Sequence, residues 1–297
     1  MGWTDTHFRF LCRLLSSRTL LYSEMVSIQD LLRQETRPKE LRCHLDEAPV
    51  VLQLGGSCPQ GFADAVGMLR SAGELDGYCA INLNCGCPSP RVATEGVGGF
   101  GARMMHDPQL VLRSSEEISR AANGLPVSVK CRLGTDEVGG YEALRTFVRT
   151  VSQGSVRHFV VHARDCVLEG LSPEENRKVP PLRPRWVHQL QSDFPHLSFT
   201  YNGDGEDESW EDLPAVSEVM IGRAAYNRPW MLREADEMIF GETGRRRTRR
   251  EVIETYLDRS ERLGYVGGGE QEYGVLGALL TLFAEERGGK VGKEERG

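Results

Sequence analysis

Cys87 stands in the run Asn82-Leu83-Asn84-Cys85-Gly86-Cys87-Pro88-Ser89. Between Gly86 and Pro88 the backbone turns sharply, which exposes the side chain between them. A cysteine thiol ionises near ~8.5, so at neutral pH it is mostly protonated and able to act as a general acid. A nucleophilic role needs an adjacent base to form the thiolate. His162 is the candidate base, and the sequence alone leaves both roles open. Cys85, two residues earlier, reads as a small buried apolar residue.

Other polar residues and glycines recur at the ends of short apolar runs. They are Gln53-Leu54-Gly55-Gly56, Lys130-Cys131-Arg132, His162-Ala163-Arg164, Asn202-Gly203-Asp204 and Gly222-Arg223. Packing explains any one of these, for instance a satisfied buried histidine. It does not explain a set on consecutive strands. In parallel α/β folds the carboxyl ends of the strands hold the ligand. Asn202-Gly203-Asp204 and Gly222-Arg223 follow the last two runs, where a barrel binds phosphate: glycines admit the backbone N–H groups and Arg neutralises charge. The implied ligand is a phosphorylated cofactor. Lys130 lies mid-barrel, where a cation stabilises negative charge on a reduced ring such as the N1 side of a flavin.

These residues need strands to carry them. The strand candidates are Thr19–Val26, Pro49–Leu54, Cys79–Asn84, Pro126–Cys131, Arg157–His162, Leu197–Asn202 and Glu218–Ile221. Helical patterns alternate with them at Pro59–Ala72, Pro108–Ala122, Tyr141–Ser152 and Pro184–Asp193. Such alternation predicts βαβ units and a parallel sheet. A closed (β/α)8 TIM barrel has eight strands. The helix Asp5–Ser16 has no strand before it, so the expectation is a barrel whose first strand is missing from the chain, leaving two open edges. After Glu242 the pattern is helix only, at Thr248–Leu263 and Glu272–Glu286, interrupted by Gly267–Gly269. The expected organisation is a barrel over 1–240, a small helical domain over 241–287 and a disordered Gly/Lys/Glu tail over 288–297.

Composition narrows the classes. The 297 residues are 39% apolar and 27% charged, an ordinary globular balance. No apolar run reaches the ~18–20 residues that span a bilayer. A net charge of −7 excludes a uniformly basic nucleic-acid coat. Arg245, Arg246, Arg247, Arg249 and Arg250 nevertheless fall together. They read as a solvated helix start, or as a binding patch if the partner is RNA. The eight cysteines are dispersed without a C-x-x-C pair, so no zinc-type site, and no metal, is expected. Gly96-Val97-Gly98-Gly99-Phe100-Gly101 fits G-x-G-x-x-G but is not at the turn of a first βαβ unit, and reads as a flexible rim loop. Gly2 and Thr6 fit a loose myristoylation pattern. It is set aside because Trp3 and Phe8 look like buried positions.

Together the motifs resemble the tRNA-dihydrouridine synthase family, and within it the A-type branch. The resemblance rests on Gly2-Trp3-Thr4-Asp5, Leu20-Leu21-Tyr22-Ser23-Glu24-Met25-Val26, Gln53-Leu54-Gly55-Gly56, the Asn82–Ser89 run, His162-Ala163-Arg164, Gly170-Leu171-Ser172-Pro173-Glu174-Glu175-Asn176-Arg177, Pro180-Pro181-Leu182 and Ile221-Gly222-Arg223-Ala224-Ala225-Tyr226. They run in order over roughly residues 1–285. The resemblance implies an FMN-binding barrel and a helical domain that holds tRNA. It implies reduction of the C5–C6 bond of selected D-loop uridines, with NADPH reducing FMN, hydride passing from flavin N5 to C6, and a cysteine, matched by Cys87, protonating C5. Gln53, Lys130, His162, Asn202, Gly203, Asp204, Gly222 and Arg223 match FMN-contacting positions. Asn84 and Arg177 match positions that place substrate and tRNA, with Arg164 as a further contact.

The ends depart from the family pattern. The family's opening strand, ending Ala-Pro-Met, falls ahead of Met1, and Glu285–Gly297 is unlike the basic, Trp-bearing helix that continues the family's helical domain. That domain is therefore expected to be incomplete. The expected compartment is the cytoplasm, or an organelle if a targeting segment precedes Met1. Two other functions compete. A dihydropyrimidine or dihydroorotate-type flavin oxidoreductase explains FMN and cysteine, but not Gly170–Arg177 or the C-terminal helices. A non-catalytic RNA-binding fragment fits a barrel without its first strand.

Overall fold

The computed structural model describes residues 2–33, 41–88, 99–203, 218–265 and 270–284. Seven parallel strands pair in chain order: β1 (Leu21–Ser27), β2 (Val50–Gly55), β3 (Ala80–Cys85), β4 (Val127–Cys131), β5 (His158–His162), β6 (Ser198–Asn202) and β7 (Glu218–Val219). Each lies within a residue or two of its expected place. Helices α1 (Thr6–Leu15), α2 (Ile28–Arg33), α3 (Pro59–Ser71), α4 (Pro108–Ala122), α5 (Tyr141–Val151) and α6 (Pro184–Asp193) alternate with them. The architecture is that of a TIM barrel with seven described strands. β1 and β7 pair on one side only among the described residues. The sheet curls until they approach: burial, and then the Glu218 carboxylate on β7, raise the pKa of the Tyr22 phenol on β1.

Local signals explain the helix boundaries. Asp107 caps α4 by accepting the Leu110 N–H at 2.9 Å, and Pro108 opens it. Its exit is left-handed at Asn123 (φ 49°). On α5 the buried residues Leu144, Phe147, Val148 and Val151 make one apolar stripe. Helix α2 was not expected. It follows β1 without an intervening loop, so no turn signal separates the two.

Strand alternation sorts side chains by face. Leu52, Leu54, Ile81, Leu83, Val127, Val129, Phe159, Val161, Phe199 and Tyr201 join the main apolar core beneath the helices. The intervening positions are Gln53, Asn82, Asn84, Ser128, Lys130, His158, His162, Thr200 and Asn202, together with Val51 and Val160. The inner face of the sheet is therefore largely polar, where a barrel interior is ordinarily filled by branched apolar layers.

Beyond β7 come α7 (Arg223–Asn227), α8 (Ala235–Met238), α9 (Arg249–Arg262) and α10 (Glu270–Thr281). A capping box between Thr248 and Glu251 opens α9. Phe8, Phe10, Leu11, Leu14 and Leu15 of α1 share a second apolar core with Val252, Tyr256, Tyr265, Val275, Ala278 and Leu282. Trp3 departs from expectation. It is 51% exposed, with its ring edge-on to Tyr226 at 4.2 Å, while Phe8 is buried as expected. No helix among the described residues is long and apolar enough to cross a membrane.

The arginine run divides in two. Arg247 donates to the Leu14 carbonyl at 2.9 Å, and Arg249 stacks 4.3 Å over the Trp230 ring. Arg246 pairs with Glu237. These three fasten the helical segment. Arg245 and Arg250 pair with Glu251 and Glu254 but stay largely exposed.

Candidate active site

A hydrogen-bonded turn holds Cys87 at the carboxyl end of β3. Asn84 Oδ1 accepts the N–H of Gly86 at 3.1 Å and of Cys87 at 3.0 Å. The Cys87 carbonyl accepts the Ala102 N–H at 3.0 Å. Cys87 is half-buried against the core edge rather than fully exposed by the turn. Among the described residues no hydrogen bond joins its Sγ to an imidazole. Cys85 is buried, as expected.

Behind the turn runs a ladder of amides. Asn84 Nδ2 donates to Gln53 Oε1 at 2.9 Å, Gln53 Nε2 to Asn82 Oδ1 at 2.8 Å, and Asn82 Nδ2 to Ser128 Oγ at 2.9 Å. Strand register makes this possible, because Gln53, Asn82 and Ser128 are partners across β2, β3 and β4. Each donor has an acceptor, so the polar face is buried without the ~1–3 kcal/mol cost of an unpaired group.

Arg132, just past β4, ties three loops together. Its Nε donates to the Gly86 carbonyl at 3.2 Å, and its Nη1 to the carbonyls of Asn176 at 2.8 Å and Asp165 at 3.4 Å. It is 3% exposed. Burial, with Arg177 and Arg164 nearby, lowers its pKa to about 10. Asn176 knots the next loop, accepting the Val167 N–H at 2.8 Å and donating to the Val167 carbonyl at 2.9 Å.

The remaining residues gather around His162. Burial first, then Arg132, Lys130, Arg164 and Arg223, drive its imidazole far below the ordinary range, so it is neutral near pH 7. Burial and Arg132 lower Lys130 to about 8. Among the described residues, the groups that act most strongly on these two include no carboxylate. Such a surplus of buried positive charge suits a ligand that brings negative charge, as a phosphorylated flavin does. Gly203 leaves little room for a side chain. At φ +146°, a Cβ there would lie 3.0 Å from His162 Cδ2 and from Leu182 Cδ1.

Gln53, Asn84, Cys87, Lys130, His162, Arg164, Arg177 and Arg223 are thus brought to one end of the sheet. Asn202 pairs with His162 in the strand register, and its Nδ2 donates to the Met220 carbonyl at 2.9 Å. Arg164 donates to the carbonyls of Lys178 and Pro180, which shapes the loop carrying Arg177. Gly222 starts α7 in open space, so no close approach explains its glycine here. Asp204 and residues 96–98 of the glycine-rich rim lie outside the described residues. Arg132, Asn82, Ser128 and Asn176 were not singled out from the sequence. Following the whole period-two inner face, rather than strand ends alone, finds Asn82 and Ser128. No group of three or more His, Cys, Asp or Glu able to hold a metal occurs among the described residues.

The protein is thus an α/β barrel whose mouth brings a cysteine, a neutral imidazole and several cations together. Its fold resembles an old yellow enzyme homologue from Zymomonas mobilis (TM-score 0.51, 10% identity, 85% of this chain and 86% of that one). It also resembles morphinone reductase in complex with tetrahydroNAD (TM-score 0.51, 10% identity, 93% and 88%). The chain belongs to the dihydrouridine synthase (Dus) family, which it matches over residues 1–276. It is 41% identical over 286 residues to a tRNA-dihydrouridine(20/20a) synthase of Synechocystis sp., covering 95% of this chain and 82% of that protein. To the Pseudomonas syringae pv. tomato protein of the same name it is 44% identical over 243 residues, covering 81% and 70%.

Proposed function

We propose that this chain reduces uridine to 5,6-dihydrouridine in the D-loop of tRNA, at the positions 20 and 20a given in its relatives' names. Bound FMN, reduced by NADPH, would supply a hydride from N5 to C6 of the uracil ring. The observation that carries the reading is the Cys87 turn, which fixes a thiol beside Lys130 and Arg132 at the mouth of a cationic barrel.

Cys87 donates its proton to C5, and the thiolate recovers one from solvent. Hydride and proton together saturate the C5–C6 bond. The absence of a described imidazole partner on Sγ favours this general-acid role over the nucleophilic one. Asn84 holds the thiol's turn in place and, with Arg164 and Arg177, lines the way in for the base. A uridine in folded tRNA must leave its stack to arrive there. The positive charge of Lys130 would offset negative charge on the reduced flavin ring. Neutral His162 has one donor and one acceptor nitrogen for the same ligand. Asn202, Gly203, Asp204 through its backbone N–H, Gly222 and Arg223 would hold the cofactor's phosphate end, and Gln53 would be a further flavin contact.

Residues 241–287 hold the tRNA in this reading, and the compartment is whichever contains it, the cytoplasm or an organelle. The test is to purify the chain, identify any released chromophore, and incubate it with unmodified tRNA and NADPH. The expected result is released FMN, and a D-loop uridine that gains two hydrogens by mass spectrometry. Turnover of free pyrimidines without tRNA would instead indicate a dihydropyrimidine or dihydroorotate-type oxidoreductase. RNA binding with neither flavin nor turnover would indicate a non-catalytic RNA-binding fragment.

A further inference from the structure

A carboxylate lies out of water where three distant parts of the chain meet. Glu47 ends the 3₁₀ turn Leu45–Glu47, just ahead of β2, and is fully buried. Its Oε1 accepts from Thr6 Oγ1, from the His44 N–H at 3.1 Å and from Arg259 Nη2 at 3.0 Å. Its Oε2 accepts from Arg9 Nε at 2.9 Å. Arg259, on α9, also forks onto Asp46, with both N–O distances 2.8 Å, and stands 4.1 Å over the Phe10 ring. Arg9, on α1, sends its other nitrogens to the carbonyls of Thr4 and Arg42. Tyr265, just past α9, places its hydroxyl 2.9 Å from His44 Nε2.

Two carboxylates therefore face two guanidiniums, with Glu47, Arg9 and Arg259 buried (0%, 1% and 2% exposed) and Asp46 at the edge, 42% exposed. A buried ion group of this kind adds little stability over apolar packing, but it tolerates very few geometries. Sliding or rotating α9 on α1 would unpair charges where water does not reach them. The apolar contacts of the second core are less directional and would permit such a slide. The ionic group thus sets the angle of α9, and α9 carries the exposed Arg250 and Arg262.

We infer that Glu47 is a positioning residue that locks α9 to the barrel at one angle, so that RNA held on the helices presents its base to Cys87. The inference rests on the tRNA reading proposed above. Its test is Glu47→Gln in the full chain, a change that keeps size and removes charge. Hydrogen exchange is followed at α9 amides, tRNA affinity by anisotropy, and kcat and KM for tRNA separately. NADPH oxidation is also followed without tRNA.

The variant is expected to exchange at α9 about tenfold faster. KM for tRNA should rise about tenfold while NADPH oxidation without tRNA stays within about twofold. If Glu47→Gln fails to fold, Arg259→Lys, which keeps the charge and loses the fork, carries the same measurements. Unchanged exchange at α9 overturns the lock. Faster exchange with unchanged tRNA KM and affinity overturns its role in presenting RNA. If the native chain neither binds nor converts tRNA, the RNA half of the inference fails with the functional reading. The exchange measurement still decides the lock.

Discussion

The side chain of Asn84 reaches three residues along its own chain to accept the backbone N–H of Cys87 at 3.0 Å, while its amide nitrogen bonds Gln53 at 2.9 Å. One residue thereby links the turn that carries the thiol to the polar interior of the barrel. Asn84→Ala leaves two backbone N–H groups without their acceptor, at about 1–3 kcal/mol for each that stays buried. A displacement of about 1 Å at a reacting group is enough for a ~100-fold loss in rate. The expected result is a fall in kcat of that order with flavin content unchanged. Asn84→Asp keeps the acceptor for the turn, although it exchanges the donor to Gln53 for a charged oxygen, so it should lose less. Equal losses in the two variants would contradict the positioning argument.

Cys87 itself should be dispensable for binding and needed for turnover. General acid catalysis contributes about 10²–10⁴-fold. Cys87→Ala should lower dihydrouridine formation on unmodified tRNA by that factor. The purified variant should remain yellow, because no cofactor cradle is touched. Full activity in Cys87→Ala would end the proton-donor assignment.

Much of this site was readable in advance because two simple rules coincide. Ligands sit at carboxyl ends of parallel strands, and alternate residues share a face, so Asn84, Lys130 and His162 had to converge. Arg132 stood in view within Lys130-Cys131-Arg132, but its role depends on the Gly86 carbonyl, 46 residues away. No local pattern encodes such a contact. Glu47 was less visible still. It lies in a polar stretch that reads as a surface turn, and its partners Arg9 and Arg259 are 38 and 212 residues distant. Trp3 is exposed because apolar character alone does not bury a residue.

Gly203 tests the cofactor cradle by geometry. A Cβ there would press on His162 and Leu182 at 3.0 Å, and the φ of +146° strains any residue other than glycine. Gly203→Ala should destabilise the chain by about 1–3 kcal/mol. It should also displace His162, so the variant is expected to purify with less flavin per chain, read from the visible absorbance. Unchanged flavin occupancy would show that the Gly203–His162 contact has no part in binding.

Lys130 predicts how cofactor binding couples to pH. Burial, reinforced by Arg132, lowers its pKa from 10.5 to about 8. The sign follows from proton counting. Between pH 8 and 10.5 the unfolded chain binds more protons at this site than the folded one, so its contribution makes stability rise with pH across that window. Below about pH 8 both states hold the proton, and the cost of burying the cation is fully present. Negative charge placed at Lys130 reverses the balance by favouring the charged lysine, and in the proposed site that charge comes from the reduced flavin ring. At pH 8 the flavin-free site is about half protonated, so binding reduced FMN should take up about half a proton. The phosphate of the ligand, with a second pKa near ~6, is already doubly ionised there and does not obscure the count. Calorimetric titration of flavin-free protein in two buffers of different ionisation enthalpy measures this uptake directly. Lys130→Met should abolish most of it and weaken binding. A native protein that takes up no proton at pH 8 would place the ligand's charge away from Lys130.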